Sequence, residues 1–220
     1  MNPILLRGLG TALAAITLGS TLAACAPLVI GGGAMVGTMM AIDRRTAGTQ
    51  VEDEGIELRA ASRIREATGE RVHVNVTSYN RQVLLTGEVP TQEERARVEQ
   101  IVRGVENVAS IVNELAVMAP TTFSQRSNDT FITGKVRASL VDAKDLTASA
   151  FKVVTERGVV YLMGRVTQRE ATRAAEIARG VNGVRKVVRV FELISEEELA
   201  RHAPRPAPVT QDPAAAPAKP

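Results

Sequence analysis

Leu85-Thr86-Gly87-Glu88-Val89 recurs later in the chain as Leu162-Met163-Gly164-Arg165-Val166. Each stretch is followed by a second matching one, Ile101-Val102-Arg103-Gly104-Val105 in the first case and Ile177-Ala178-Arg179-Gly180-Val181 in the second. The offset between the copies slips by one residue near the turns, as is usual in duplicated domains. Two copies are too few for a solenoid, so the sequence predicts two small domains, each with its own core.

Each copy opens with apolar residues at helical spacing, which are Ile56, Ala60 and Ile64 in the first and Ile132, Val136 and Leu140 in the second. Ser127-Asn128-Asp129 offers capping side chains before the second of these helices. A half-buried strand follows, with Val72, Val74 and Val76 alternating with polar residues. Hairpin turns are then predicted at Asn80-Arg81 and at Glu156-Arg157-Gly158.

The second strand of each copy, Val83 to Val89 or Val159 to Val166, contains a glycine. A glycine inside a strand marks a bulge or a close backbone approach, here at Gly87 and Gly164. The remaining predicted elements are a helix, Gln92 to Arg103 or Gln168 to Arg179, a C-cap glycine, Gly104 or Gly180, and a last strand, Val108 to Val117 or Val184 to Ile194. The order α-β-β-α-β predicts an α+β fold with helices on one face of a three-stranded mixed sheet.

The first part of the chain has the features of an export signal. A single positive charge, Arg7, precedes an apolar run that ends in Leu22-Ala23-Ala24-Cys25, which resembles the bacterial lipobox. The resemblance implies cleavage before Cys25 and acylation of this cysteine, and Ala26 then implies sorting to the outer membrane. The alternative is an uncleaved transmembrane helix that buries Cys25, but the glycines Gly31, Gly32, Gly33 and Gly37 disfavour a continuous helix.

Composition argues against several kinds of site. With one cysteine and two histidines, His73 and His202, neither an internal disulfide nor a metal centre is expected. His73 alternates with Val72 and Val74, so it is expected to face solvent. No catalytic constellation or phosphate-binding glycine loop stands out. Few aromatic residues and the export signal argue against a nucleic-acid partner.

The pattern of strand glycine, helix and Gly-Val-x-x-Val, present at Gly104-Val105 and again at Gly180-Val181, resembles the BON domain. A lipobox followed by two such domains is similar to a family of outer-membrane lipoproteins. The predicted organisation is a signal peptide (1–24), a lipidated cysteine with a flexible tether (25–51), two BON domains (52–118 and 128–194) joined by a linker (119–127), and a disordered Pro/Ala-rich tail (195–220). The resemblance implies no enzymatic activity and no cofactor, but a role in envelope integrity and presence at division sites.

The resemblance further implies that the first helix of the second BON domain binds anionic phospholipid, either phosphatidylglycerol or cardiolipin. The expected lipid-binding residues are Phe131, where relatives commonly carry Trp, together with Lys135, Arg137, Thr130, Ile132 and Ser139. The charge of the two domains agrees with this assignment. Residues 52–118 carry 8 basic and 12 acidic side chains, whereas residues 128–194 carry 12 basic and 7 acidic side chains. Basic groups favour an anionic membrane surface.

Two alternatives stay open at this point. Phe131 could pack in the core while Lys135 and Arg137 form a solvated face. The protein could also be an interaction scaffold, whose exposed sheet or first domain recruits an envelope protein with no lipid role beyond the anchor. Arg185, Lys186 and Arg189 on the last strand are expected to form a solvated edge that blocks strand pairing.

Overall fold

The predicted α-β-β-α-β order is confirmed in both halves of the computed structural model, which describes residues 43–202. The signal peptide, Cys25, most of the tether and residues 203–220 of the tail lie outside the described residues. Within residues 43–202, no helix combines the length and the hydrophobicity that a membrane span requires.

The first domain contains helix α1 (Ala47–Thr68), strands β1 (His73–Tyr79) and β2 (Gln82–Val89), helix α2 (Gln92–Arg103), and short strands β3 (Ser110–Asn113) and β4 (Ala116–Val117). β2 pairs antiparallel with β1 and parallel with β3 and β4, so the sheet is mixed. The last strand was predicted as continuous, but Asn113 interrupts it. Its side-chain oxygen accepts the N–H of Leu115 at 3.2 Å, which turns the chain and directs Leu115 into the core.

The second domain contains helix α3 (Phe123–Asp142), strands β5 (Lys152–Glu156) and β6 (Val159–Val166), helix α4 (Gln168–Arg179), strand β7 (Lys186–Leu193) and a short helix α5 (Glu196–His202). β6 pairs antiparallel with β5 and parallel with β7. Helix α5 falls within the predicted tail. Ser195 starts it, because the serine hydroxyl accepts the N–H of Glu198 at 3.1 Å.

The first helix of each domain begins earlier than predicted. Thr122 caps α3 in a capping box with Gln125, so Ser127-Asn128-Asp129 lies inside the helix and does not cap it. Thr46 likewise caps α1, which therefore extends into the predicted tether. Asp129 instead accepts hydrogen bonds from the N–H groups at the hairpin turn of its own domain.

Each domain has its own core between its helices and one face of its sheet, as predicted. The first core is centred on Ile56, Ala60, Ile64, Val83, Leu85, Val98 and Val102, and the second on Ile132, Val136, Leu140, Val160, Leu162, Ala174 and Ala178. The close approach predicted at the strand glycines is confirmed. A Cβ on Gly87 would lie 2.1 Å from the carbonyl oxygen of His73, and one on Gly164 would lie 2.3 Å from that of Ala150.

The other face of each sheet packs against the other domain. Buried side chains from both sheets form this third cluster, which contains Tyr79, Leu84, Tyr161, Met163 and Val190. The central strands β2 and β6 are therefore buried on both faces along almost their whole length. The exposed sheet invoked for a scaffold is absent from residues 43–202, because the two sheets cover one another.

Candidate functional site

Helix α3 has an apolar stripe on its exposed side. Its buried side faces the core through Asp129, Ile132, Val136 and Leu140. On the opposite side, the side chains of Phe123, Phe131 and Val141 are 79%, 66% and 69% exposed. At 100° per residue these three lie within one quarter of the helix circumference. Two exposed phenylalanine rings on one side of a helix make this stripe a candidate contact surface.

The residues between the three large side chains are small. Ser127, Gly134 and Ala138 are all exposed on the same side of α3, and a Cβ on Gly134 would meet no atom within 4 Å. The two phenylalanines therefore protrude above a low surface.

The structure places the predicted lipid-binding residues on different sides of α3. Phe131 lies on the exposed stripe, so the alternative that it packs in the core is wrong. Thr130 and Arg137 are exposed, whereas Lys135 and Ser139 are half-buried at its flank. Ile132 is 1% exposed and belongs to the core of the second domain, so it cannot contact a lipid in this conformation. Ile132 lies one helical turn before Val136, so both side chains point to the buried side of α3.

Cations flank the apolar stripe. The ammonium of Lys135 lies 5.0 Å from the ring centroid of Phe131 and donates to the carbonyl oxygen of Asn182. A guanidinium nitrogen of Arg137 is 3.4 Å from the carbonyl oxygen of Val153. Neither residue forms an ion pair with a carboxylate in residues 43–202, and neither does the exposed Lys144. Their charge is thus available to an anion.

The first helix of the first domain offers a contrast. The position on α1 that matches Phe131 is Gly55. Two of its three arginines are also paired with acidic groups of the same domain: Arg59 lies 2.6 Å from Glu52 and Arg63 lies 2.8 Å from Glu106. Helix α1 consequently lacks the aromatic side chain that α3 has, and most of its arginines are neutralised within the domain.

Phe123 was not among the predicted lipid-binding residues. It fell in the predicted linker, because Ser127-Asn128-Asp129 was taken as the helix cap. The signal that could have placed it is Thr122 followed three residues later by Gln125, the spacing of a capping box. Extending α3 to Phe123 would have put both phenylalanines on one side of the helix.

A second polar cluster lies at the contact between the domains. Glu88 of β2 is buried, and its carboxylate accepts hydrogen bonds from Arg157 at 2.6 Å and from the backbone and hydroxyl of Thr121 at 3.1 and 3.2 Å. His73 was expected to face solvent, but its Nδ1 lies 2.9 Å from Glu88. The exposed fraction of the His73 side chain is only 26%.

The carboxylates of this cluster differ in acidity. Burial alone would raise the pKa of Glu88, but hydrogen bonds from Thr121, Arg157 and His73 offset it and hold that pKa below its usual range. Burial raises the pKa of Glu156, and the charge of Glu88 adds to this shift although Asn75 donates to Glu156 at 3.0 Å. His73, Glu88 and Glu156 could together reach a metal ion, but Arg157 and Thr121 already occupy the oxygens of Glu88.

Two consecutive arginines attach the start of the described chain to both domains. Arg44 pairs with Glu170 of the second domain at 2.7 Å, and both side chains are nearly inaccessible to solvent. Arg45 pairs with Asp53 of the first domain at 2.8 Å and lies 4.2 Å from the ring centroid of Tyr79. Residues 44 and 45 are therefore part of the folded body and not of a flexible tether.

A model of the BON domain family matches residues 53–119 and 128–194. The chain is 39% identical over 184 residues to "Outer membrane lipoprotein DolP" of Haemophilus influenzae, which covers 82% of this chain and 95% of that protein. It is 36% identical over 155 residues to "21 kDa hemolysin" of Actinobacillus pleuropneumoniae, covering 70% and 80% respectively.

More distant similarities involve shorter regions. The chain is 32% identical over 117 residues to "Osmotically-inducible protein Y" of Escherichia coli, or 52% of this chain and 58% of that protein. A structural comparison matches the C-terminal domain of CdsD, a structural protein of the type III secretion system of Chlamydia trachomatis. The match covers 61% of this chain and 96% of the CdsD chain, and the two sequences are 12% identical. The TM-score of this comparison is 0.27.

Proposed function

The chain belongs to the BON-domain family, and on that premise we propose that it binds anionic phospholipid through helix α3 of its second domain. It is an outer-membrane lipoprotein with two BON domains, and this family is not enzymatic. In this proposal acylated Cys25 holds the protein at the periplasmic face of the membrane, and α3 adds a second contact that recognises lipid charge.

The observation that carries the proposal is the apolar stripe of α3 beside unpaired cations. Phe123 and Phe131 supply rings that can enter the interfacial region of a bilayer. Lys135 and Arg137 lie close enough to Phe131 along the helix to meet lipid phosphates at the same depth. Each basic group near an anionic surface contributes about 1 kcal/mol, so the helix favours anionic over neutral lipid.

A weak helix–lipid contact is sufficient in an anchored protein. Once acyl chains hold the chain at the bilayer, α3 meets the surface at a high effective concentration. A contact of about 2–3 kcal/mol would then enrich the protein in regions of anionic lipid. The acyl chains alone would keep the protein attached to the membrane. We propose that this contact concentrates the protein at division sites rich in anionic lipid, where it supports envelope integrity.

Co-sedimentation with vesicles tests the lipid contact without the anchor. The mature chain from Ala26 to Pro220, produced without acyl groups, is mixed with phosphatidylglycerol-containing or phosphatidylcholine vesicles. We expect sedimentation with the first only, weakened by salt because exposed charges are screened. Phe131→Glu should abolish it, and Phe131→Trp should strengthen it, since indole suits the interface better than phenyl.

Val51→Glu is the matched control, because Val51 is as exposed on α1 as Phe131 is on α3. This change should leave sedimentation intact. Equal, weak binding to both kinds of vesicle, or equal losses in the two variants, would refute the lipid role of α3. In cells, Phe131→Glu in the acylated protein should spread it evenly over the envelope; unchanged localisation would point to recruitment by another protein.

A further inference from the structure

Strand β1 is an unprotected edge of its sheet. Within residues 43–202 it pairs only with β2, and its other side borders a groove of about 680 Å³ between the domains. The edge strand β7 carries exposed Lys186 and Arg189, which discourage pairing with another strand. By contrast, the seven residues of β1, His73–Tyr79, include no lysine, arginine or proline. The sequence therefore places basic residues on the β7 edge of the second sheet and none on the β1 edge of the first sheet.

The backbone of β1 faces the groove at alternate residues. The N–H of Ser78 donates to Glu57 at 2.8 Å and its carbonyl oxygen accepts from Lys152 at 3.0 Å, so both groups point away from β2. Because strand residues alternate, the N–H and C=O groups of Val74 and Val76 point the same way. Among the described residues these groups have no hydrogen-bond partner on that side.

The walls of the groove have a definite chemistry. Helix α1 contributes Leu58, which is 73% exposed, and β5 contributes Val154. The acidic side chains are Glu54, Glu57 and Glu156. Glu57 is paired with Lys152, but Glu54 forms no ion pair within residues 43–202. The first domain also carries more acidic than basic groups. The groove thus combines a free strand edge, an exposed leucine and negative charge.

We propose that this groove binds an extended segment of a partner protein, which adds to β1 as a new strand. Backbone hydrogen bonds to Val74 and Val76 would supply affinity, as in other cases of strand addition. An apolar side chain would contact Leu58 and a basic one would meet Glu54. The site uses α1 and β1, so it is separate from the lipid-binding stripe of α3 and can be occupied at the same time.

The test uses a seven-residue peptide of alternating valine and lysine, the length of β1. It is titrated by fluorescence anisotropy into the mature chain from Ala26 to Pro220. We expect saturable binding, lost when glutamate replaces lysine and lost when alternate peptide nitrogens are methylated. Hydrogen exchange at the amides of Val74 and Val76 should slow on binding, which a diffuse charge attraction would not cause.

Surface variants locate the site. Leu58→Lys and Glu54→Lys should each weaken binding by about tenfold, a typical loss for a central contact. Val51→Lys, on the same helix and outside the groove, should leave it unchanged. Unaltered binding in Leu58→Lys, or no slowing at Val74 and Val76, would overturn the proposal.

Vesicle sedimentation separates this proposal from the lipid role of α3. Leu58→Lys should sediment with anionic vesicles like the unaltered chain, and Phe131→Glu should bind the peptide normally. If Leu58→Lys instead lost vesicle binding while the peptide failed to bind, the groove would face a membrane and the peptide site would be disproved.

Discussion

Arg157, in the hairpin turn of the second domain, donates a 2.6 Å hydrogen bond to the buried carboxylate of Glu88 in the first domain. The same guanidinium nitrogen reaches the carbonyl oxygen of Gly87 at 3.0 Å. The Glu88 side chain is inaccessible to solvent, and Arg157 is 19% exposed. This pair joins the two domains at a polar point, in addition to the apolar cluster that contains Tyr79 and Tyr161, and so restricts their relative orientation.

Replacing Arg157 with alanine should strongly destabilise the protein. The change leaves the charge of Glu88 buried without its cationic partner, which should lower the free energy of unfolding by about 2–4 kcal/mol. Urea denaturation measures this loss. Arg189→Ala, an exposed position on β7, is the control and should cost about 0.5 kcal/mol. Adding Glu88→Gln to the Arg157 variant should restore part of the lost free energy of unfolding. If Arg157→Ala and Arg189→Ala lowered the free energy of unfolding equally, the buried charge of Glu88 would not be the cause.

Glu156→Gln should stabilise the protein near neutral pH. Burial raises the pKa of Glu156 in the folded state, so the folded protein favours the protonated side chain. The resulting contribution to folding stability is fully present below the unfolded-state pKa and is lost as pH rises through the folded-state pKa. Glutamine keeps an oxygen for Asn75 and carries no charge beside Glu88. Urea denaturation should show a gain of about 1 kcal/mol at pH 7 that vanishes near pH 4. A gain independent of pH would rule this explanation out.

The fold of each domain could be predicted because its signals are local. These signals depend only on residues close in sequence. They are the helical spacing that includes Ile56 and Ile132, the hairpin turns, and the strand glycines Gly87 and Gly164. The starts of α1 and α3 were misplaced, because the polar run at Ser127–Asp129 satisfies the same preferences as a cap. The tertiary contact of Asp129 with the hairpin turn explains why this residue lies inside the helix and does not cap it.

The contact between the domains could not be predicted in this way. Its polar members, such as His73 and Glu88, occupy the alternate strand positions that normally face solvent. Their burial depends on partners in the other domain, including Arg157, about 70 residues away in sequence. The candidate lipid site was partly predictable: Phe131 and Lys135 were named correctly as part of one helix, but the sequence alone could not decide whether Phe131 faced the core.

Asp129 should matter more to stability than its exposed neighbours on α3. Its two carboxylate oxygens accept the N–H groups of Arg157 and Gly158 at 2.7 and 2.8 Å, and Asp53 does the same for Asn80 and Arg81 in the first domain. Asp129→Ala should cost about 2–3 kcal/mol, because two buried donors lose their partner. Native-state hydrogen exchange should accelerate at residues 157 and 158. Asn128→Ala is the control, and a similar cost there would contradict the assigned role.

Two glycine-to-alanine changes should act in opposite directions. A Cβ on Gly164 would lie 2.3 Å from the carbonyl oxygen of Ala150, so Gly164→Ala must push strand β6 away from that residue. We expect a loss of at least about 2 kcal/mol. A Cβ on Gly134, inside exposed α3, meets no atom within 4 Å, so Gly134→Ala should add about 0.5–1 kcal/mol through better helix propensity. Thermal unfolding of both variants should show a lower Tm in the first and a higher Tm in the second. A stable Gly164 variant would mean that the strand can move away at little cost, and the close approach would then not explain why a glycine occupies this position.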